Sequence, residues 1–246
     1  MDTECVLSIQ GMTKRLESGG SQFILEIPEL NLRRGRFYGL VGRSGSGKST
    51  LLDLLAMVAR PSEVNRYELR VGEKTIDLSR MLLNGEDREI SAVRLAHFGY
   101  ILQSGGLFSF LTVRENLQLP FMLDNRPADQ AFIERLVELY DMKGQLDKKP
   151  SSLSGGQRQR VSILRSLCLS PDIILADEPT ASVDENLADK IIGEMKRLAA
   201  STKATVIMVS HDLDLVKAFA HEVITLKPRY ESAQVTRTVI SAGDPS

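Results

Sequence analysis

The sequence predicts an α/β fold: a core of buried strands and helices, a β-rich start, and a helical lobe inserted into the core. Three observations predict it. A short apolar strand from Arg36 to Val41 runs into Gly42-Arg43-Ser44-Gly45-Ser46-Gly47-Lys48-Ser49-Thr50, and apolar residues at helical spacing follow from Leu51 to Val58, ending before Pro61. Ile173-Ile174-Leu175-Ala176 is an unbroken apolar run, as expected of a strand covered on both faces. Between them the period changes, and Ile133, Leu136, Val137 and Tyr140 fall at i, i+3, i+4 and i+7 of an amphipathic helix.

Taken in order, Val6 to Gln10 and Phe23 to Ile27 read as paired strands, with Gly19-Gly20 between them. Phe98 to Gln103 reads as a further strand. Thr112-Val113-Arg114-Glu115 is a capping box that opens a short helix stopping near Pro120. Residues 104–165 therefore read as the inserted lobe, and residues 1–103 and 166–246 as the core. After Ala176 comes a helix with Leu187, Ile191, Met195 and Leu198 on one face, then a buried strand from Ala204 to Val209. Val223 to Leu226 and Gln234 to Ile240 are expected to finish the fold as edge strands, and nothing beyond about residue 240 is long enough for another domain.

Composition narrows the function. The 246 residues carry a formal charge of −1, with Lys and Arg spread along the chain, so there is no basic footprint for nucleic acid. No run of eighteen apolar residues occurs, and Met1-Asp2-Thr3-Glu4 does not open a leader, so a cytosolic chain without its own membrane anchor is expected. Cys5 and Cys168 are too few for a metal or disulfide framework; they read as reduced thiols, with Cys168 buried on a helix.

Gly42 to Ser49 fits G-x-x-x-x-G-K-[ST] without departure, and it has the strand before and the helix after that a phosphate cradle needs. Its glycines let backbone N–H groups face phosphate oxygens, and the helix start adds its positive end. Lys48 would reach the β- and γ-phosphates, and Ser49 would offer a hydroxyl to Mg²⁺. Asp177 and Glu178 end the buried strand. Asp177 can hold Mg²⁺ and Glu178 can polarise an attacking water, although two such carboxylates could also cap the next helix. Leu153-Ser154-Gly155-Gly156-Gln157 is a second phosphate-facing run, but an incomplete one, which implies a second molecule.

That second run, followed by Arg158-Gln159-Arg160, resembles the signature sequence of ATP-binding-cassette (ABC) ATPases. Gln103 falls where the family's Q-loop glutamine lies, Ala181-Ser182-Val183-Asp184 resembles its D-loop, and His211 matches its switch histidine. The resemblance covers nearly the whole chain. It implies a P-loop NTPase core of ABC ATPase type, with an N-terminal antiparallel β subdomain and an inserted helical subdomain. It also implies a head-to-tail homodimer in the ATP-bound state, in which Ser154, Gly155, Gly156 and Gln157 meet the partner's ATP. Glu178 would be the general base, His211 would hold the γ-phosphate and water, Gln103 would join Mg²⁺ to the helical lobe, and Asp184 would couple the two sites. One departure affects the base: where many members stack adenine on an aromatic, Lys14-Arg15-Leu16 places leucine.

No sustained heptads separate the loop from the signature, unlike DNA-repair relatives, and only one cassette is present, unlike translation-factor relatives. A subunit working on a separate permease fits best. Phe98 to Gln103, Leu111 to Pro120 and Leu175 to Thr180 resemble the lipoprotein-releasing and macrolide-exporter type of bacterial ATPase. This implies a peripheral place on the inner face of the cytoplasmic membrane, a permease contact around 104–125, and periplasmic components reached through the permease. The apolar cluster Gly105, Leu107, Phe108, Phe110 and Leu111 reads either as lobe packing or as that contact groove. A regulatory ATPase that acts through a membrane partner without transport would share every catalytic residue, whereas a nucleic-acid ATPase is disfavoured by the charge.

Overall fold

The computed structural model describes residues 5–181, 185–210 and 213–243. These build one ten-stranded sheet with helices on it. β1 (Cys5–Ser18) and β2 (Ser21–Arg33) form a long antiparallel hairpin closed by Gly19 and Gly20. Both glycines lie at positive φ, 58° and 79°, which matches a two-residue turn to the twist of its strands. The strand pair read from Val6 and Phe23 lies within this hairpin.

β3 (Phe37–Val41) leads through the glycine loop into α1 (Lys48–Leu55). The stretch that follows was not assigned from sequence. It folds as β4 (Arg66–Val71), β5 (Lys74–Asp77), α2 (Leu78–Asn84) and α3 (Asp87–His97). The Asp77 side chain starts α2 by accepting from the Arg80 N–H at 3.0 Å, a cap that could have been read from sequence. β6 (Phe98–Ile101) completes the first half of the chain.

Between β6 and β7 (Ile173–Asp177) the described regular elements are all helical: α4 (Val113–Leu123), α5 (Gln130–Leu139) and α6 (Gly155–Leu167), with two short 3₁₀ turns. The capping box at Thr112 and Glu115 forms as expected. The expected stop near Pro120 does not occur, because α4 continues to Leu123. An interior proline costs about 3 kcal/mol, but Leu117 and Phe121 bury their side chains on one face, worth about 1.5–3 kcal/mol each. The burial wins. Ile133, Leu136, Val137 and Tyr140 are buried together, as their spacing requires.

α7 (Glu185–Thr202), β8 (Thr205–Val209), α8 (Leu213–Phe219), β9 (Glu222–Tyr230) and β10 (Val235–Gly243) finish the described fold. The last two strands are not edges. The sheet order is β5-β4-β1-β2-β10-β9-β3-β8-β7-β6, so β9 lies parallel on β3 and β10 parallel on β2. Their neighbours are remote in sequence, which a local apolar run cannot reveal. These two strands join the antiparallel hairpin half to the parallel half.

The parallel strands feed two cores by simple alternation. Tyr38, Leu40, Ile173, Leu175, Ile207 and Val209 pack on the α1 face, whereas Phe37, Ile174, Ala176, Val206 and Met208 pack on the face of α6 and α7. The N-terminal ends of β3, β6 and β7 are tied by charge. Asp172 accepts from Arg34 at 2.6 Å and lies 2.9 Å from the His97 ring, while Arg34 also donates to the Arg70 carbonyl at 2.8 Å. Cys168 is buried as expected, and burial pushes its thiol up to about 12.

Candidate functional site

Because β3, β8, β7 and β6 are parallel neighbours, their C-terminal ends share one edge of the sheet. That edge collects Gly42 to Thr50 after β3, Ser210 after β8, Asp177 and Glu178 at the end of β7, and Gln103 after β6. A crevice outside the carboxyl ends of parallel strands is where α/β sheets bind ligands.

The loop is shaped for close backbone approach. At Gly47, the cap of α1, φ is 98° and a Cβ would stand 2.7 Å from the Phe23 ring. At Gly42 a Cβ would meet Ser46 Oγ at 2.6 Å. Lys48 is 7% exposed, and its ammonium donates to the Gly42 and Arg43 carbonyls at 2.9 and 3.1 Å. An ammonium has three donors, so one is left for an incoming anion. Ser46 differs from its neighbours: its N–H bonds the Arg43 carbonyl at 3.1 Å, and its hydroxyl is buried without a partner among the described residues.

A cavity of about 280 Å³ lies against this loop, lined by Ser44, Gly45, Gly47, Lys48, Ser49 and Thr50 together with Phe23 and Glu178. Glu178 reaches it through an unusual backbone. Its φ of 48° is left-handed, a conformation that costs a non-glycine residue of order 1–3 kcal/mol and collects at functional sites. The Glu178 N–H donates to the Val209 carbonyl at 3.2 Å, and its carboxylate accepts from Gln103 Nε2 at 3.1 Å. The strained turn ends β7 and swings the side chain off the strand. Tyr100 on β6 donates to Asp53 on α1 at 2.9 Å, bracing the helix that carries Lys48; burial and then Asp53 push its pKa well up, so it remains a donor.

Ser49, Asp177 and the free carbonyl oxygen of Gln103 are hard oxygen donors, the kind Mg²⁺ prefers. No group of three or more His, Cys, Asp or Glu among the described residues could hold an ion alone. This donor set fits a cation that arrives with phosphate oxygens.

The second run is built differently. Ser154 caps α6: its Oγ accepts from the Gln157 N–H at 3.2 Å, while Gln157 Oε1 accepts from the Ser154 N–H at 2.9 Å. None of Ser154, Gly155, Gly156 and Gln157 lines the loop cavity. Asp184 and His211 lie outside the described residues.

Sequence reasoning missed a second cavity, of about 520 Å³, beside the loop. It shares Phe23, Ser44 and Gly45 with the first, takes in Arg43 and Ser46, and brings Leu16 together with Tyr230. Phe23 belongs to β2, as expected, yet its ring reaches the loop. Counting back from the Gly19-Gly20 turn pairs Leu16 with Phe23, so that placement was available from sequence. Asn116 was also missed. Fully buried, it bonds the Phe108 N–H and the carbonyls of Phe108, Leu111 and Thr112, stitching 108–112 onto α4.

The ABC transporter family profile matches residues 25–181, a span that holds the loop, Gln103, the Ser154 run and Glu178. The chain belongs to the ABC transporter family. This ABC ATPase, an ATP hydrolase, is 34% identical over 229 residues to the uncharacterized ABC transporter ATP-binding protein MJ0796 of Methanocaldococcus jannaschii, covering 90% of this chain and 93% of that protein. A dimeric structure of MJ0796 in a post-hydrolysis state, bound to ADP and Pi, superposes with a TM-score of 0.78 at 31% identity, over 90% of this chain and 94% of that one. The lipoprotein-releasing system ATP-binding protein LolD 1 of Rhodopseudomonas palustris is 33% identical over 223 residues, 86% of this chain and 92% of its own length. The bacitracin export ATP-binding protein BceA of Halalkalibacterium halodurans is 35% identical over 211 residues, covering 84% and 78%. No helix among the described residues of the ABC ATPase is long and apolar enough to cross a membrane.

Proposed function

We propose that this ABC ATPase works as one half of a head-to-tail dimer that closes on ATP and drives a separate membrane permease. The observation that carries the reading is an incompleteness. The loop cavity holds Glu178 but no residue of the Ser154 run, so a second copy is needed to bring Ser154, Gly155 and Gly156 to the γ-phosphate. The dimeric state of MJ0796 supports it.

In this reading the loop backbone and Lys48 bind the β- and γ-phosphates, and Ser49, Asp177 and Gln103 would hold Mg²⁺. Held there, Mg²⁺ would neutralise charge developing on the phosphates. Glu178 takes a proton from water, the water oxygen bonds to the γ-phosphorus, and the bond to the β–γ bridging oxygen breaks, releasing ADP and phosphate. Gln103, bonded to Glu178, links that base to the lobe at 104–165, which transmits closure. His211 and Asp184 take the switch and coupling roles of the family.

The permease docks on the segment around 104–125. Phe108 and Phe110 stand exposed in an edge-to-face pair with centroids 5.7 Å apart, and Leu102, Met122 and Leu123 are exposed as well. An exposed apolar patch of this kind marks a contact surface, and Asn116 holds its backbone rigid. This attachment keeps the ATPase on the inner face of the cytoplasmic membrane. Resemblance over 98–103, 111–120 and 175–180 supports lipoprotein or envelope-substrate release as the task, with periplasmic components reached through the permease.

Glu178→Gln tests the reading. Hydrolysis should fall by about 10² or more, and an ATP-dependent dimer should accumulate on gel filtration. Normal turnover in that variant would remove Glu178 as the base.

A further inference from the structure

We infer that Tyr230, with Phe23 and Leu16, forms the platform on which the purine base of the nucleotide stacks, so that the C-terminal hairpin helps to hold the nucleoside. The inference rests on the reading of Gly42 to Thr50 as the phosphate site.

Strand register carries it. Leu16 pairs with Phe23 across β1 and β2, Phe23 with Thr236 across β2 and β10, and Thr236 with Tyr230 across β10 and β9. The four residues form one row across four adjacent strands, and all four line the second cavity. That cavity adjoins the phosphate cavity, and Phe23, Ser44 and Gly45 line both. At about 520 Å³ it falls in the usual range for small-molecule sites. A nucleotide with its phosphates on Lys48 and Ser49 therefore has an adjoining hollow for its base, with the Phe23 and Tyr230 rings in its lining.

Tyr230 has no other evident work. It is 76% exposed, and its side chain makes no hydrogen bond or ring contact among the described residues. Its hairpin is nonetheless pinned. Arg237 bridges Glu231 at 2.5 Å and also pairs with Glu26 on β2, and the Gln22 N–H donates to the Gln234 carbonyl at 2.6 Å. An aromatic held ready on a fixed hairpin is a stacking surface that loses little freedom when a base covers it. Stacking accepts any base, because every base has a π face, so discrimination between ATP and GTP should be slight.

The chain contains no tryptophan, so Tyr230→Trp installs a single, selectively excitable tryptophan at the predicted contact. ATP and GTP should quench or shift its emission, whereas inorganic tripolyphosphate should bind, as followed by calorimetry, without moving it. Tyr230→Ala should weaken ATP binding about tenfold and leave tripolyphosphate affinity unchanged, while Tyr230→Phe keeps the parent affinity. Emission that stays fixed at saturating ATP, or an alanine variant that binds ATP like the parent, overturns the inference. If neither ATP nor tripolyphosphate binds the parent chain, the phosphate-site reading itself fails, and this one with it.

Discussion

Two helices of this ABC ATPase begin beside glycines, and they are prepared for opposite tasks. α1 starts behind a buried strand; its Lys48 is folded over the loop, and a cavity waits in front of it. α6 starts with its serine and glutamine closed on each other in a capping box, outside that cavity. The first has no side-chain cap and is held by its buried leucines packed in the core with the sheet. The second closes its own first turn through the Ser154–Gln157 box. A surface that is complete as structure but incomplete as a site is what one half of a shared site should look like.

The largest effect should come from breaking the α1 side. Lys48→Ala removes charge-assisted bonds to phosphate worth about 1.5–3 kcal/mol each, so ATP affinity should fall roughly 10- to 100-fold. Hydrolysis should fall at least as far. Calorimetric titration with ATP measures the first, and a binding constant equal to the parent's would detach the loop from the nucleotide.

Changes at α6 sharpen the contrast, because they should spare that binding. In a Glu178→Gln background, Ser154→Arg should retain ATP affinity and lose the ATP-dependent dimer. Ser154→Ala is the control for the cap alone: it costs about 1 kcal/mol of stability but adds no bulk. A purely structural Ser154 predicts equal loss of dimer in both variants. Equal loss of ATP affinity in Ser154→Arg and Lys48→Ala would merge the two surfaces into one.

What could be read from sequence follows the same division between local and remote. The loop, the Thr112 cap and the amphipathic face of α5 are each set by residues a few positions apart, and each stands where its pattern put it. β9 and β10 looked like edges because a strand's neighbours are not written in the strand. Pro120 looked like a stop because the burial of Phe121 that overrides it depends on packing from elsewhere. The candidate site divides likewise. Glu178 could be named from its neighbours, but its left-handed φ could not, and the meeting of Leu16 with Tyr230 needs three strand pairings, one of them between chain ends.

The smallest functional effect is expected at the opposite edge of the sheet. Asp172 joins the starts of β3, β6 and β7 through Arg34 and His97, and the far ends of those strands carry the site. Burial alone would raise the Asp172 carboxyl, but the bonds from His97 and then Arg34 outweigh it and hold its pKa below the ordinary value. The folded chain thus binds this proton less tightly than the unfolded chain does. Its contribution is present above the unfolded value, about pH 4, and is lost as pH falls through the lower folded value. Asp172→Asn should therefore cost about 1–3 kcal/mol at neutral pH, because two charge-assisted bonds go but the partners keep some solvent. Its urea midpoint should also fall less steeply than the parent's on acidification below pH 4. ATP affinity at neutral pH should stay at the parent value, since the strands remain paired along their length. A tenfold loss of ATP affinity would show instead that the anchor at one edge sets the geometry at the other.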